Sequence, residues 1–255
     1  MNPLLERDRR LVIGHRGACA RAPENTMPSF ELAVQLGVDA LELDVHLSAD
    51  GQVVVIHDET LDRTCDRRGP VLGRTAAELA TMDAGYRFPS GRWSGRGVHV
   101  PRLAEVLDAW PDMPLLIEIK TGAVQDALAR LLTDMHATER TVVASMRHDA
   151  MGRFRGPPFV AGASGRDVQR LYLARLMGRP RRVPYRLLSV PWRYRGLEVP
   201  TRRFIRDAAR LDAAVSVWTV DDPALAQQLW ARGANGIVTN DPGALVKTRH
   251  ANGKS

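Results

Sequence analysis

Short apolar runs rich in Val, Ile and Leu alternate along this chain with amphipathic stretches of roughly ten to fifteen residues, from one end to the other. The runs read as strands at Leu11–Gly14, Ala40–His46, Leu115–Ile119, Thr141–Ala144, Phe159–Ala161, Leu187–Val190, Ala214–Trp218 and Gly236–Val238. The stretches between them read as helices at Thr26–Leu36, Leu103–Trp110, Ala123–His136, Asp149–Phe154, Asp167–Met177, Thr201–Leu211, Pro223–Arg232 and Asp241–Lys247. Strand and helix in strict alternation call for a parallel sheet, and eight pairs in 255 residues favour a closed (β/α)8 TIM barrel over an open sheet. The first helix has Asn25 or Thr26 as a cap and Pro28 tolerated in its first turn. The pattern is least regular across residues 141–165, where "RGPPF" interrupts a short helix.

One stretch breaks the rhythm. After the second strand, residues 48–101 run with no long helix and begin with Asp50-Gly51, a hairpin signal, followed by an alternating strand from Gln52 to His57. Segments that long are usually functional. In a barrel this one leaves the C-terminal end of a strand, the face where barrel active sites are built. We expect one barrel domain over 1–255 carrying this insertion.

Composition narrows the class without naming a task. The chain is 44% hydrophobic and 25% charged, and it has no apolar run near the roughly 18 residues of a membrane span or a secretory leader core. A cytoplasmic protein is expected, and Cys19 and Cys65 do not make a disulfide framework. The net charge of +7 is uneven: residues 153–210 hold fifteen arginines against Asp167, Glu198 and Asp207, a local +12 that leaves −5 elsewhere. Such an excess can attract anionic partners, a membrane surface included. With three lysines in the whole chain, arginine is also simply the usual surface cation here, so no nucleic acid is expected.

The chemistry lies at strand ends. Side chains at i and i+2 share a strand face, so "ALELDVHL" puts Glu42 with Asp44 and "LLIEIKTG" puts Glu118 with Lys120, each opposite apolar neighbours. Both faces of a parallel barrel sheet are buried, and carboxylates there need a counter-charge. An ion pair with Lys120 accounts for one acid and leaves two. Three carboxylates near strand ends suit a hard divalent cation, Mg²⁺ or Ca²⁺, better than zinc. His15 ends the first strand, and His57 ends the hairpin strand next to Asp58, which could orient it. Two histidines beside a metal can divide acid and base work, and Arg16 and Lys120 could neutralise a phosphoryl group. Gly14 and Gly17 would let the first loop bend close to that phosphate.

The segments "HRGACARAPENT", "LELDVHLSADGQVVVIHDETLDRT", "VPRLAEVL", "IEIK", "SVWTVDD" and "GANGIVTNDP" together resemble the glycerophosphodiester phosphodiesterase family, with a poorly marked middle at about 150–185. The resemblance implies metal-dependent hydrolysis of a small-molecule glycerophosphodiester to glycerol 3-phosphate and an alcohol. It makes Glu42, Asp44 and Glu118 metal ligands, His15 and His57 the acid/base pair, Arg16 and Lys120 the phosphate holders, and Trp218 a wall of the substrate pocket. The nucleophile would be water or a neighbouring glycerol hydroxyl. Glu24 and Asn25 would brace the first loop. Arg102, Met146 and Asp221 depart from the family's usual Thr, aromatic and Asn, and none of them touches a proposed catalytic position.

Two rivals stand beside this reading. A lysophospholipase D would use the same chemistry with a membrane-facing entrance at Tyr86, Phe88, Trp93 and the arginines; a non-catalytic barrel would bind anionic polymer through 153–210. His46 shares a face with the acids but reads as structural. His99, His136, His148 and His250 read as surface residues, and nothing beside Cys19 looks like an activating base. The alcohol, the choice of cation and the oligomeric state are left open by the sequence.

Overall fold

The computed structural model describes residues 2–177 and 182–251, without the side chains of 174–177 and 250–251. Eight parallel strands follow the expected order: β1 Leu11–His15, β2 Ala40–Leu47, β3 Leu115–Ile119, β4 Thr141–Ala144, β5 Val160–Ala161, β6 Leu187–Pro191, β7 Ala214–Trp218 and β8 Gly236–Thr239. They pair in the order β5-β4-β3-β2-β1-β8-β7-β6. A parallel bridge from Gly162 to Leu187 joins the two ends, so the sheet curls into a near-closed barrel.

Side-chain alternation divides its packing in two. Ile13, Leu116, Val142, Leu187, Ala214 and Val238 fill the barrel, with Leu4 from an N-terminal turn buried among them. Val12, Leu41, Leu43, Ile117, Val143 and Val215 face outward under the helices. Those helices are α1 Met27–Gln35, α2 Leu103–Ala109, α3 Gln125–Asp134, α4 Gly165–Met177, α5 Arg202–Ala209, α6 Pro223–Ala231 and α7 Pro242–Ala251. The helix expected at Asp149–Phe154 is a 3-10 stretch.

The cap expected on α1 is not made. Thr26 stands at the N-cap, but its hydroxyl donates to the Pro23 carbonyl, and Asn25 turns away to Asp44.

The insertion has its own packing. Val53–Val55 pairs antiparallel with β2, and Val54, Ile56, Leu61, Cys65, Val71, Leu79 and Val100 form a small core apart from the barrel's. A four-residue helix, Ala76–Leu79, is held by reciprocal Thr75 and Glu78 bonds. The hairpin strand runs antiparallel from Leu47 at the C-terminal end of β2 back to Asp44, and so delivers His57 to the cavity beside the acids.

Several arginines of the arginine-rich region are ion-paired: Arg153 with Asp126, Arg155 with Asp167, Arg186 with Asp212, and Arg203 and Arg210 with Asp207. Arg179 and Arg181, and the side chain of Arg175, lie outside the described residues. No described helix is long and apolar enough to cross a membrane.

Candidate active site

Strand register assembles the site before any side chain is considered. His15 stands opposite Glu42 across β1 and β2, and Asp44 opposite Glu118 across β2 and β3. His15, Asp44 and Glu118 lie in the C-terminal halves of parallel strands and Glu42 shares the face of Asp44 two residues earlier, so these inward side chains meet at one mouth. That mouth is a cavity of about 260 Å³ lined by His15, Arg16, Glu42, His57, Glu118, Lys120 and Trp218, among others. Seven of the eight expected site residues thus share one cavity, and Asp44 lies buried against two of them, Arg16 and Lys120.

The acids form a tight set. One carboxylate oxygen from each of Glu42, Asp44 and Glu118 falls within 4.8 Å of the others. Lys120 Nζ lies 2.9 Å from Asp44 and 3.0 Å from Glu118, and Arg16 Nε lies 3.0 Å from Asp44. Lysine therefore serves two acids where the sequence reading gave it one.

Charge still does not balance well here. Burial, with Asp44 and Glu118 nearby, pushes the Glu42 carboxyl well above the usual carboxylate range. Burial opposes the charge of Asp44, but Lys120 and Arg16 outweigh it and hold that carboxyl low. Lys120, also buried, is held above the usual lysine range by Asp44 and Glu118. Asp44 Oδ1, although at ion-pair distance from Lys120, is buried with no aligned hydrogen bond. Three clustered carboxylates, one raised by its neighbours and one with an unsatisfied oxygen, fit a hard divalent cation.

The first loop is held by more bonds than its length suggests. Arg16 has φ 50°, a left-handed conformation unusual for a residue with a side chain. Its N–H donates to Glu42, and its carbonyl accepts from the Asn25 N–H and the Ser29 hydroxyl. Asn25 then clamps Asp44 from both sides, donating from Nδ2 at 2.9 Å and accepting from the Asp44 N–H at 3.2 Å. The expected bracing role of "PENT" therefore extends to a site acid.

The glycines act differently from expectation. A Cβ at Gly14 would come 2.7 Å from the Gly17 carbonyl oxygen, and one at Gly17 would come 2.5 Å from the Ser29 backbone. They let the loop fold on itself and on α1.

Each histidine is held at Nδ1. His57 Nδ1 lies 2.6 Å from Asp58, whose other oxygen accepts from Arg63 Nε at 2.6 Å. Arg63 also holds Glu24, which holds Arg16, so the insertion and the first loop are tied by charge. His15 Nδ1 lies 2.6 Å from Asn240 Oδ1. The amide's orientation follows from its other side: Asn240 Nδ2 donates to Asp221 Oδ2 at 2.8 Å, and a carboxylate only accepts. Oδ1 must then face His15, so Nδ1 donates and Nε2 carries the free lone pair. Burial and Arg16 keep the His15 ring below the usual histidine range, which favours its neutral form.

Asn240 and Asp221 are the contributors the sequence reading missed. Asp221 was expected to leave catalytic positions alone, yet it fixes the amide that fixes His15. Met146 also touches the site, as part of the cavity wall, whereas Arg102 pairs locally with Glu105.

The remaining candidates fall away. His46 is buried and bonds the His57 carbonyl at 3.0 Å, so it supports the hairpin. His99 pairs with Glu105, His148 is half-buried against Ser164, His136 is exposed, and the His250 side chain lies outside the described residues. Cys19 does have a base nearby, His15 Nδ1 at 4.0 Å, but Asn240 occupies that nitrogen and burial pushes the thiol up to about 12. Tyr86, Phe88 and Trp93 are not in the cavity wall; Arg92 lies over the Phe88 and Trp93 rings on the flank of the insertion.

Known proteins resemble this chain over nearly its whole length. The model of the glycerophosphoryl diester phosphodiesterase family matches residues 15–244. A glycerophosphodiester phosphodiesterase from Caldanaerobacter subterraneus subsp. tengcongensis is 31% identical over 92% of this chain and 96% of its own length. YhdW of Bacillus subtilis is 32% identical over 94% of this chain and 99% of its own. The crystal structure of a glycerophosphodiester phosphodiesterase from Agrobacterium tumefaciens superposes with a TM-score of 0.76 at 27% identity, covering 93% of this chain and 99% of that one.

Proposed function

The chain belongs to the glycerophosphoryl diester phosphodiesterase family and is an enzyme of that activity, and from this premise we propose how its own residues divide the reaction. Glu42, Asp44 and Glu118 hold a divalent cation, Mg²⁺ or Ca²⁺. When bound, it supplies Lewis-acid polarisation of the phosphoryl oxygens. Arg16 and Lys120, which line the same cavity, would donate to the phosphate oxygens and offset their charge. Trp218 closes one wall of the cavity.

His15 is the base. Its Nε2 is unprotonated and faces the cavity, and it takes the proton from the attacking oxygen, whether of water or of a glycerol hydroxyl. His57 is the acid. The Asp58 carboxylate at its back offsets a positive ring, and its proton goes to the departing alcohol oxygen as the P–O bond breaks. Attack by water gives glycerol 3-phosphate and the free alcohol directly; attack by the glycerol hydroxyl gives the free alcohol and a cyclic 1,2-phosphodiester, which a water molecule then opens to glycerol 3-phosphate. The observation that carries this reading is the pair of Nδ1-anchored imidazoles lining one cavity with the carboxylate cluster. Two free thiols, one of them buried, suit a reducing compartment such as the cytoplasm.

A metal-depleted assay over glycerophosphocholine, glycerophosphoethanolamine and glycerophosphoglycerol, with Mg²⁺ or Ca²⁺ added back singly, tests the proposal. Activity is expected to vanish on chelation and return with at least one cation. Full activity in the chelated protein would overturn the metal assignment, and no turnover of any diester would overturn the function.

A further inference from the structure

A second depression opens beside the catalytic cavity. Its walls are the first half of α4, the end of β6 and the hairpin Arg193–Glu198, with Val168, Tyr172, Pro191, Tyr194 and Leu197 facing in. Met146 and Ser189 line both this groove and the catalytic cavity, so the two are continuous. Among the described residues, no charged side chain lines the groove. Six large hydrophobic side chains are exposed among the described residues, and three of them, Met146, Tyr194 and Leu197, are in its wall. Water-exposed apolar side chains scatter singly when they mean nothing; a contiguous set at the edge of a reaction site marks a binding surface.

The groove is built rather than incidental. The Tyr172 hydroxyl bonds the Glu198 and Val199 carbonyls at 3.1 and 3.0 Å, pinning α4 to the hairpin's end. At the other end a Cβ on Gly165 would come 3.0 Å from the Met146 carbonyl oxygen, so α4 begins packed against the shared rim. Arg193 and Arg195 lie against the Trp192 and Tyr194 rings, 4.5 and 5.5 Å from their centroids, and neither is among the residues that line the groove.

We propose that this groove binds the single hydrocarbon chain of a phosphodiester one of whose alcohols is lipid-like, while the phosphate sits at Arg16 and Lys120. The placement rests on the phosphodiesterase reading, and continuity of the two cavities selects the occupant. An apolar chain attached to a phosphate held there can pass Met146 and leave water, which a separate protein partner would not need to do. Tyr86, Phe88 and Trp93, the entrance expected from sequence, play no part.

Two readouts test it. In calorimetric titrations of the full chain with butyl-, octyl- and decylphosphocholine below their micellar concentrations, affinity is expected to rise at least tenfold from butyl to octyl, since each fully buried methylene contributes about fourfold. Leu197→Asp and, separately, Tyr194→Ser should flatten that rise. Both are expected to keep glycerophosphocholine turnover within twofold of wild type while losing at least tenfold on a monoacyl glycerophosphocholine. Chain-length-independent binding overturns the proposal, as does a solution dimer that Leu197→Asp dissociates without any chain-length effect. If no diester is hydrolysed but the chain-length series still steepens and the variants flatten it, the groove stands and the phosphodiesterase reading falls.

Discussion

The two histidine arms reach one cavity from different kinds of structure. His15 ends a barrel strand, is deeply enclosed, and leans on a neutral amide that is itself fixed by Asp221. His57 rides on a hairpin over a separate small core, is more open, and leans directly on the Asp58 carboxylate. The imidazoles are chemically identical, so the difference lies in what stands behind each Nδ1. An amide oxygen orients a ring and favours its charge only weakly, and a carboxylate orients it and favours its charge more strongly. That contrast is what assigns the base role to His15 and the acid role to His57 in the proposed reaction.

Removing either ring is the largest break in this comparison. His15→Ala and His57→Ala should each lower kcat by about 10²–10⁴-fold, the usual worth of a positioned acid or base, with circular dichroism unchanged. A near-wild-type rate in either would remove that histidine from the reaction. Changing the alcohol to p-nitrophenol then separates the arms, because p-nitrophenolate departs without a proton. His57→Ala should recover most of its loss on that substrate and His15→Ala should not. Equal recovery would undo the acid and base assignments while leaving both residues catalytic.

How far the sequence reached can be judged from the same two arms. The eight strands, both histidines and the three acids were legible because each sits on a local pattern: a short apolar run, an i, i+2 pair, a hairpin signal. His57–Asp58 was legible because the partners are adjacent. The Asn240 support was not, since it lies 225 residues from His15 in the chain. A signal did exist: in a closed barrel β8 lies beside β1, and Gly14 is in register with Thr239, so the residue after Thr239 must come near His15. From sequence, Thr239 and Asn240 lie only between the last strand and the helix expected at Asp241–Lys247, a position that gives Asn240 no role. The cap from Asn25 failed for a related reason. Its side chain had a buried acid to satisfy, and an unsatisfied Asp44 would cost more than an uncapped helix end.

Exchanging the backing groups sharpens the comparison on a smaller scale. Asp58→Asn keeps a hydrogen-bond acceptor behind His57 and removes its charge, and should lower kcat by about 10–100-fold, as supporting residues around reactive ligands do. The reciprocal change is the double swap Asp221→Asn with Asn240→Asp. It preserves the bond between these two side chains and places the negative charge against His15. Burial and Arg16 now hold His15 below its ordinary 6.5, so the acidic limb of kcat/KM, which reports the base in the free enzyme, should lie below pH 6.5. The swap should move that limb up by about one unit. An unmoved limb would mean that the amide only orients the ring.

The smallest expected effect concerns stability, and it belongs to the insertion arm. Burial works against the Asp58 charge, but bonds from Arg63 and His57 outweigh it and bring the carboxyl from 3.8 down to about 2. A carboxyl depressed on folding stabilises the native state fully above its unfolded value, and that stabilisation is lost as pH falls through the folded one. The window is therefore pH 4 down to pH 2. Asp58 is substantially open to solvent, so the contribution is discounted to at most about 1 kcal/mol. In denaturant titrations the gap between wild type and Asp58→Asn should be constant from pH 6 to about 4 and close below that. A gap that instead closes above pH 5 would show that the ion pairs with Arg63 and His57 do not hold the insertion in solution, and that its small apolar core alone keeps His57 over the cavity.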